Sequence, residues 1–417
     1  MKLRNIFLAG LAVCTMASCS KDDDANGPAA PVDALVSFGV TTEVMTKANG
    51  HEVEADGGEE NEKLVNQLTA LIFDESGKLV GRGDTIRKEG VTESIDKIKC
   101  ITIKVASSDG VSASNETFTA VLVANVNVST VATLAAFEEQ KTLTIDNYTR
   151  SKMAAGTCFL PMVKKVKFSG VKPLGENHTE NWINNATGET VVAVTQGTAS
   201  TNAVVLERLV ARVQLEKVSV NFAGGNYKDA TFDLKKVFLA NVPSTSPLGS
   251  IGEENAAALW KGFQSASWEV KQYLIIPDND NNVKNELAKD LNITHLSMVS
   301  ANGHTFNTDK PVFYAFAYNG TKKAAGDGIT QNYETRLILE GDFKLNSSAT
   351  AQTRHFHVVL NREGEKKVLP NYMYKITVNI TGEGSPNEDE ILLNAHVAAK
   401  IVVAPWNVIE QNEEDAN

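Results

Sequence analysis

VVLERLVARVQLEKVSVNF, residues 204–222, is the stretch on which the fold turns. Val, Leu and Phe dominate it, Gly and Pro are absent, and its length suits one long β-strand. Charges interrupt the apolar run at Glu207, Arg208 and Arg212. Side chains alternate across a strand, so Arg208 and Arg212 share one face while Glu207 projects to the other. A sheet with one wet face accounts for such charges. The sharper expectation is a buried or interdomain ion pair formed by Glu207, Arg208 and Arg212.

Outward from this strand, the same texture recurs. Leu68–Phe73, Ile101–Val105, Phe118–Ala124, Thr231–Ala240, Trp268–Ile276, Val312–Tyr318, Arg336–Glu340, His355–Leu360, Tyr372–Ile380 and Ile391–Val403 are further strand-like runs. Gly, Asn, Asp or Ser stand between them. Helical patterning is short and rare, with Val131–Gln140 and Val283–Asp290 the best examples. Strands without alternating helices predict an all-β chain of two antiparallel β-sandwich domains, with a few short helices. At 417 residues the chain is long enough for two such cores. The text turns polar over 170–203, with Gly175, Asn177, Asn184, Asn185, Gly188, Gly197 and Ser200, and the domain boundary is expected near 205.

The net charge of −11 and the absence of a Lys/Arg cluster exclude nucleic acid as a natural partner. Lys2 and Arg4 precede an apolar run, Ile6 to Val13, too short to span a bilayer, as in a secretory signal. It exits through Met16-Ala17-Ser18-Cys19, small residues before a cysteine, which resembles a bacterial lipobox with Cys19 as the acylated residue. The acidic tether Ser20-Lys21-Asp22-Asp23-Asp24 follows, and acids in that place resemble a surface-export signal of Bacteroidota lipoproteins. Cys100 and Cys158 then remain. An oxidising compartment would allow one disulfide between them, but both lie in apolar runs, and two buried thiols are the expectation.

Motifs for catalysis or metal binding are missing their necessary parts. His355 and His357 share a strand face, yet a zinc site needs a third ligand, so an exposed sheet face is expected. Asp278-Asn279-Asp280-Asn281-Asn282 imitates a calcium loop, but Val283 and Lys289 occupy the positions where an EF-hand has Gly and Glu. A polar turn is the better reading. Phosphate loop, nucleophile elbow, His-Glu-x-x-His and Cys-x-x-Cys are all absent from the sequence. No catalytic residue, metal or cofactor is expected.

Taken with both ends, the Val205–Val213 motif resembles the fimbrillin family of Bacteroidales, the shaft subunits of type V pili. The other matching stretches are Met16–Cys19, Asn371–Gly382 and Val402-Val403-Ala404-Pro405-Trp406-Asn407-Val408. The resemblance implies transthyretin-like or Greek-key sandwiches and export as an outer-membrane lipoprotein. It further implies that a trypsin-like surface protease removes the first strand. The vacated groove then receives a C-terminal strand from another copy or a related fimbrial subunit. Such a protein supports adhesion as a structural subunit and is not an enzyme.

The residues offer their own support. Val36, Phe38, Val40 and Val44 fall on one face of a half-buried strand, and Lys47 and Ala48 follow it, opening a polar, glycine-containing stretch where a protease can enter. At the other end Val397, Ala399, Ile401 and Val403 alternate with Ala398, Lys400 and Val402, both faces largely apolar. Pro405 breaks the ladder and Trp406 begins a second short segment. The expected organisation is a signal peptide at 1–18, a tether at 19–33, a removable strand at 34–47, sandwiches at 48–205 and 206–394, and a donor segment at 395–417. Two rivals stand beside the shaft subunit. One is a pilus tip or accessory subunit, which need not donate a strand. The other is a surface glycan binder, which would require Trp182, Trp260, Trp268 and Trp406 to converge.

Overall fold

The structure is a computed structural model that describes residues 31–42, 59–107, 109–139, 142–148, 152–153, 155–175, 180–186, 190–197, 202–222, 225–243, 245–248, 259–261, 288–297, 303–318, 321–323, 330–332, 334–360, 368–387, 397–405 and 409–412. Strands dominate it, arranged in two pairs of sheets.

In the first half, one five-stranded sheet holds the opening strand Pro31–Thr41 with Lys97–Ala106, Glu180–Ile183, Thr195–Gln196 and Val204–Val205. A six-stranded sheet runs through Glu207–Arg208, Met162–Ser169, Thr117–Ala124, Gln67–Phe73 and Leu79–Ile86, with Val191–Ala193 beside Met162–Ser169. Phe38 from the first sheet meets Phe168 from the second edge-on, ring centres 6.3 Å apart, and Phe168 stacks on Phe118. A Gly81-x-Gly83 pair brings the sheets close elsewhere. A Cβ on Gly81 would lie 2.6 Å from Ile103, and one on Gly83 2.7 Å from Ile101. The absent side chains make room for two isoleucines, which are buried there.

The second half repeats the plan. Val210–Val220 is flanked by Tyr372–Ile380 and Val312–Phe316, and the sheet continues through Val397–Pro405 to Ile409–Asn412. The facing sheet centres on Thr231–Pro243, paired with Arg336–Lys344 and Ala288–Ser297. Phe222 and Phe343 meet between the two sheets at 5.8 Å. Most buried apolar residues of both halves form one continuous cluster, while Phe238, Ala240 and Ile338 form a small second one. A small sheet also joins the halves, Thr142–Thr144 pairing with Thr245–Pro247.

Several local expectations change. The 204–222 stretch is not one strand but three, Val204–Val205, Glu207–Arg208 and Val210–Val220, which pair in three different sheets. The chain therefore passes between halves at Leu209, slightly after the expected boundary, because Glu207 and Arg208 still pair with Val163 and Met162. Not every pair is antiparallel: Val210–Val220 runs parallel to Tyr372–Ile380, and the first strand runs parallel to Glu180–Ile183. The first strand begins at Pro31, inside the stretch expected to be tether.

Of the helix expected over Val283–Asp290, the described part, from Ala288, is strand, because pairing with Val237 and Phe238 overrides the helical pattern. The Val131–Gln140 helix is shorter, Leu134–Glu138, capped by Thr133 Oγ1 accepting from the Ala136 amide at 3.1 Å. His355 and His357 are buried, not exposed. Ser385 exchanges backbone hydrogen bonds with His355, and Asn387 O lies 3.4 Å from His357 Nε2, so residues 384–387 cover the face expected to be wet. Cys100 is exposed and Cys158 half-buried, neither in a disulfide, so neither is the buried thiol expected. The Asp278–Asn282 stretch and the Trp268–Ile276 run lie outside the described residues.

Candidate functional site

The first strand occupies the interior of its sheet rather than the edge. Lys97–Ala106 pairs with it antiparallel from Pro31 to Gly39, and Glu180–Ile183 pairs parallel along Leu35 to Phe38 on the other side. Its far end continues beside Val204–Val205. Ala34, Val36, Phe38 and Val40 point into the sandwich and are buried. Ser37, on the opposite face, is buried as well, so the strand is enclosed on both faces at its middle rather than half-buried. Val44 lies outside the described residues.

Side chains add to the ladder. Asn181, fully buried, donates from Nδ2 to Leu35 O and Lys172 O, both at 2.9 Å, and accepts from the Lys172 amide at 2.9 Å. Asp33 O accepts from the Leu174 amide, and the Val40 amide donates to Asp96 O. Opposite Ser37 the neighbouring strand bulges between Ile98 and Ile101. The Cys100 amide there donates to Ser37 Oγ at 3.0 Å, and Ser37 Oγ donates to Glu180 Oε2 at 3.3 Å. Cys100 Sγ donates to Glu180 Oε1 at 3.0 Å. Partial burial, and then the Glu180 carboxylate, push the Cys100 thiol up to about 11, so it is no nucleophile at neutral pH.

Val397–Pro405 lies within its own chain. It pairs antiparallel with Tyr372–Ile380, Ile401 opposite Ile376 and Val403 opposite Tyr374, and turns back through Ile409–Asn412. In the single chain this strand therefore has a ladder partner at home. Ala399 and Ile401 are buried there, while Lys400 between them is exposed. The hairpin ends its sheet, so it can depart without breaking the strand order behind it. Trp406, like Cys19, Lys47 and Ala48, lies outside the described residues.

Between these two ends sits a buried polar cluster. Arg208 and Arg212 converge on Glu62, which stands in the short helix Glu60–Lys63. Arg212 Nη1 donates to Glu62 Oε2 at 2.5 Å, Tyr314 donates its hydroxyl to Glu62 Oε1, and Arg208 Nε donates to Glu62 O at 3.0 Å. Burial opposes the Arg212 charge, but Glu62 and Tyr314 outweigh it and its pKa is raised. Burial lowers Arg208 to about 10, against the pull of Glu62. Burial, and then Glu62, push the Tyr314 phenol far up, so it remains a donor.

Glu207 does not join this cluster. It faces Lys164 Nζ at 2.5 Å with its side chain substantially exposed. The two arginines found by sequence are thus in one place, but their acid was missed. The Glu59-to-Glu62 capping box marks a helix start and gives no sign of a buried charge. Asn181 and Glu180 carried no signal beyond their place beside Trp182.

A family model described as major fimbrial subunit protein (FimA) matches residues 34–216. The chain is 24% identical over 444 positions to the major fimbrium subunit FimA type-4 of Porphyromonas gingivalis, covering 99% of each. It is 22% identical over 401 positions to Fim1C of Parabacteroides distasonis, a candidate fimbrium tip subunit, covering 92% of this chain and 88% of that one. Among solved structures, a fimbrilin (fimA) from Porphyromonas gingivalis W83 superposes with a TM-score of 0.56 at 19% identity. That match covers 91% of this chain and 99% of the other.

Proposed function

Because the chain is a FimA-like fimbrillin, a fimbrial subunit, we propose that it forms the repeating shaft of a cell-surface fimbrium and joins copies by exchanging a strand. In this reading the precursor is lipidated at Cys19 and held at the outer membrane. A trypsin-like surface protease cuts after Lys47, releasing the lipid together with Pro31–Thr41. The Val397–Pro405 strand of another copy, or of a related fimbrial subunit, then leaves its own sheet and fills the gap. The product works by assembly, not by catalysis.

The observation that carries this reading is the interior place of the first strand. Removing an edge strand would uncover one row of backbone groups. Removing Pro31–Thr41 uncovers two, on Lys97–Ala106 and on Glu180–Ile183, together with the apolar floor beneath Val36 and Phe38. Such a gap demands an extended, alternating, apolar occupant, with the ladder supplying affinity and the side-chain pockets specificity. Each Val or Ile buried there is worth about 1.5–3 kcal/mol. The donor gives up its ladders to Tyr372–Ile380 and Ile409–Asn412 and gains two in the groove, so the ladders balance and burial on the apolar floor is what turns the exchange toward the filament.

Ile401→Asp tests the reading. The aspartate would be an unpaired buried charge in the groove and in its own sheet alike, so thermal unfolding of the precursor is measured beside it, and a variant that still folds and is exported and cleaved should yield no filaments by electron microscopy. Normal filaments would rule out exchange through this strand. Similarity to a candidate tip subunit favours one second reading, that this copy caps rather than repeats. Cells lacking the protein separate the two: loss of filaments marks a shaft, whereas intact, non-adhesive filaments mark a tip.

A further inference from the structure

At the middle of the first strand an apolar ladder carries one polar corner. Cys100 sits in left-handed backbone at φ 57, in the bulge opposite Ser37. The bulge turns its amide out of the regular ladder, and Ser37 Oγ accepts it, while Glu180 takes a hydrogen bond from Ser37 and another from Cys100. Departure of the first strand takes the Ser37 hydroxyl away and leaves the half-buried Glu180 carboxylate beside the empty track.

The register of an incoming strand follows from the residues it must match. Apolar side chains stand at 34, 36, 38 and 40 in the strand that leaves, and at 397, 399, 401 and 403 in the one that arrives. Placing them in the same direction and order puts Ile401 where Phe38 packs on Phe168, and Val403 where Val40 lies. Pro405 then falls at position 42, beyond the last strand residue, Thr41, where no ladder hydrogen bond is required. Sliding two residues one way would put Pro405 at Val40, whose amide donates to Asp96 O at 2.8 Å, a bond proline lacks the hydrogen to make. Sliding two the other way would put Ala399 in the Phe38 pocket and leave a cavity. One register satisfies both ends.

That register sets Lys400 at the Ser37 position. In its own sheet Lys400 is exposed, its backbone opposite Thr377. Transferred, its stem would run along Trp182, the residue beside Ser37 in the parallel pair, and its ammonium would reach the rim at Glu180. We infer that Lys400 of the arriving strand pairs with Glu180 of the receiving subunit and fixes the register of the junction, an inference that rests on the strand-exchange reading above. Shape alone admits neighbouring registers at a modest loss, whereas a charge pair at one position penalises every slip.

Charge reversal in cleaved subunits tests it. Lys400→Glu and Glu180→Lys should each weaken the junction at least about tenfold, as a like-charge contact does, and the double variant should restore it. Thermal unfolding of each precursor shows whether Glu180→Lys harms the fold itself. A second measurement needs no charge change. Lys400→Cys should cross-link oxidised filaments to the native Cys100, and adding Cys100→Ser should abolish the ladder of multimers. If Ile401→Asp stops assembly while both reversals behave as wild type and no cross-link forms, the register pair is wrong and strand exchange stands. If Ile401→Asp filaments are normal, the exchange reading itself has failed.

Discussion

Glu62 Oε2 lies 2.5 Å from Arg212 Nη1, and the carboxylate that makes this contact is completely enclosed. Glu62 belongs to the helix that follows residues 43–58, and Arg212 to the first strand of the second sandwich. The pair therefore fastens the stretch just after the expected cleavage point to the far half of the molecule. Tyr314 and Arg208 complete its hydrogen bonding, which a buried ion pair needs to offset desolvation.

Breaking this pair from one side strands a charge. Arg212→Ala should cost about 3–5 kcal/mol in urea unfolding. Glu207→Ala, which removes only the partly exposed contact to Lys164, should cost about 0–1 kcal/mol. Equal losses would mean that the buried cluster does not brace the junction.

The outcome at Glu62 shows what sequence could and could not reveal. Alternating, β-prone runs found many of the long strands, including both ends, because a strand's side chains report its two faces directly, though Leu79–Ile86 and Met162–Ser169 went unread. The Arg208 and Arg212 spacing was visible for the same reason. Their partner lies far away in sequence on a helix of one turn, and no local pattern marks a pairing of that kind. His355 and His357 failed for a related reason. Two imidazoles on one strand face read as wet, but the cover supplied by Ser385 and Asn387 arrives from a distant loop. At Ala288–Asp290 a local helical pattern lost to sheet pairing with Val237.

Gly341 should tolerate no side chain. A Cβ there would lie 2.2 Å from Asp233 O and 2.5 Å from the Phe232 ring, against backbone in a bulged ladder. Gly341→Ala should destabilise the chain by about 1–3 kcal/mol, the usual cost of overpacking. Gly175→Ala, with nothing within 4 Å, serves as the control and should be nearly neutral. A neutral Gly341→Ala would place these two strands further apart than described.

Acid should loosen the second sandwich through Glu340. The hydrogen bond from His355 outweighs burial, with Lys236 assisting, and holds its pKa below the ordinary 4.5. A carboxylate depressed on folding contributes stability above its unfolded value, and that contribution disappears as pH falls through the folded value. The melting temperature of the wild-type chain should therefore drop more steeply below pH 4.5 than that of Glu340→Gln. Parallel curves would remove Glu340 from the acid response.

Phe38 offers a test that separates precursor from filament. Its ring is fully buried against Phe168, and nothing else in the described first strand fills comparable volume. In the uncleaved chain Phe38→Ala should leave a cavity and cost about 3–5 kcal/mol. If maturation discards the strand, the mature subunit carries no trace of the substitution. Filaments that do assemble from the variant should then dissociate in denaturant at the same concentration as wild type, although the precursor accumulates less. A strand kept in the filament would behave otherwise, since the cavity would persist at every junction and shift the dissociation midpoint with the precursor's. Sequencing the filament subunits supplies the matching chemical readout: an N-terminus at Ala48 is expected, and chains still beginning ahead of Pro31 would contradict removal of the strand.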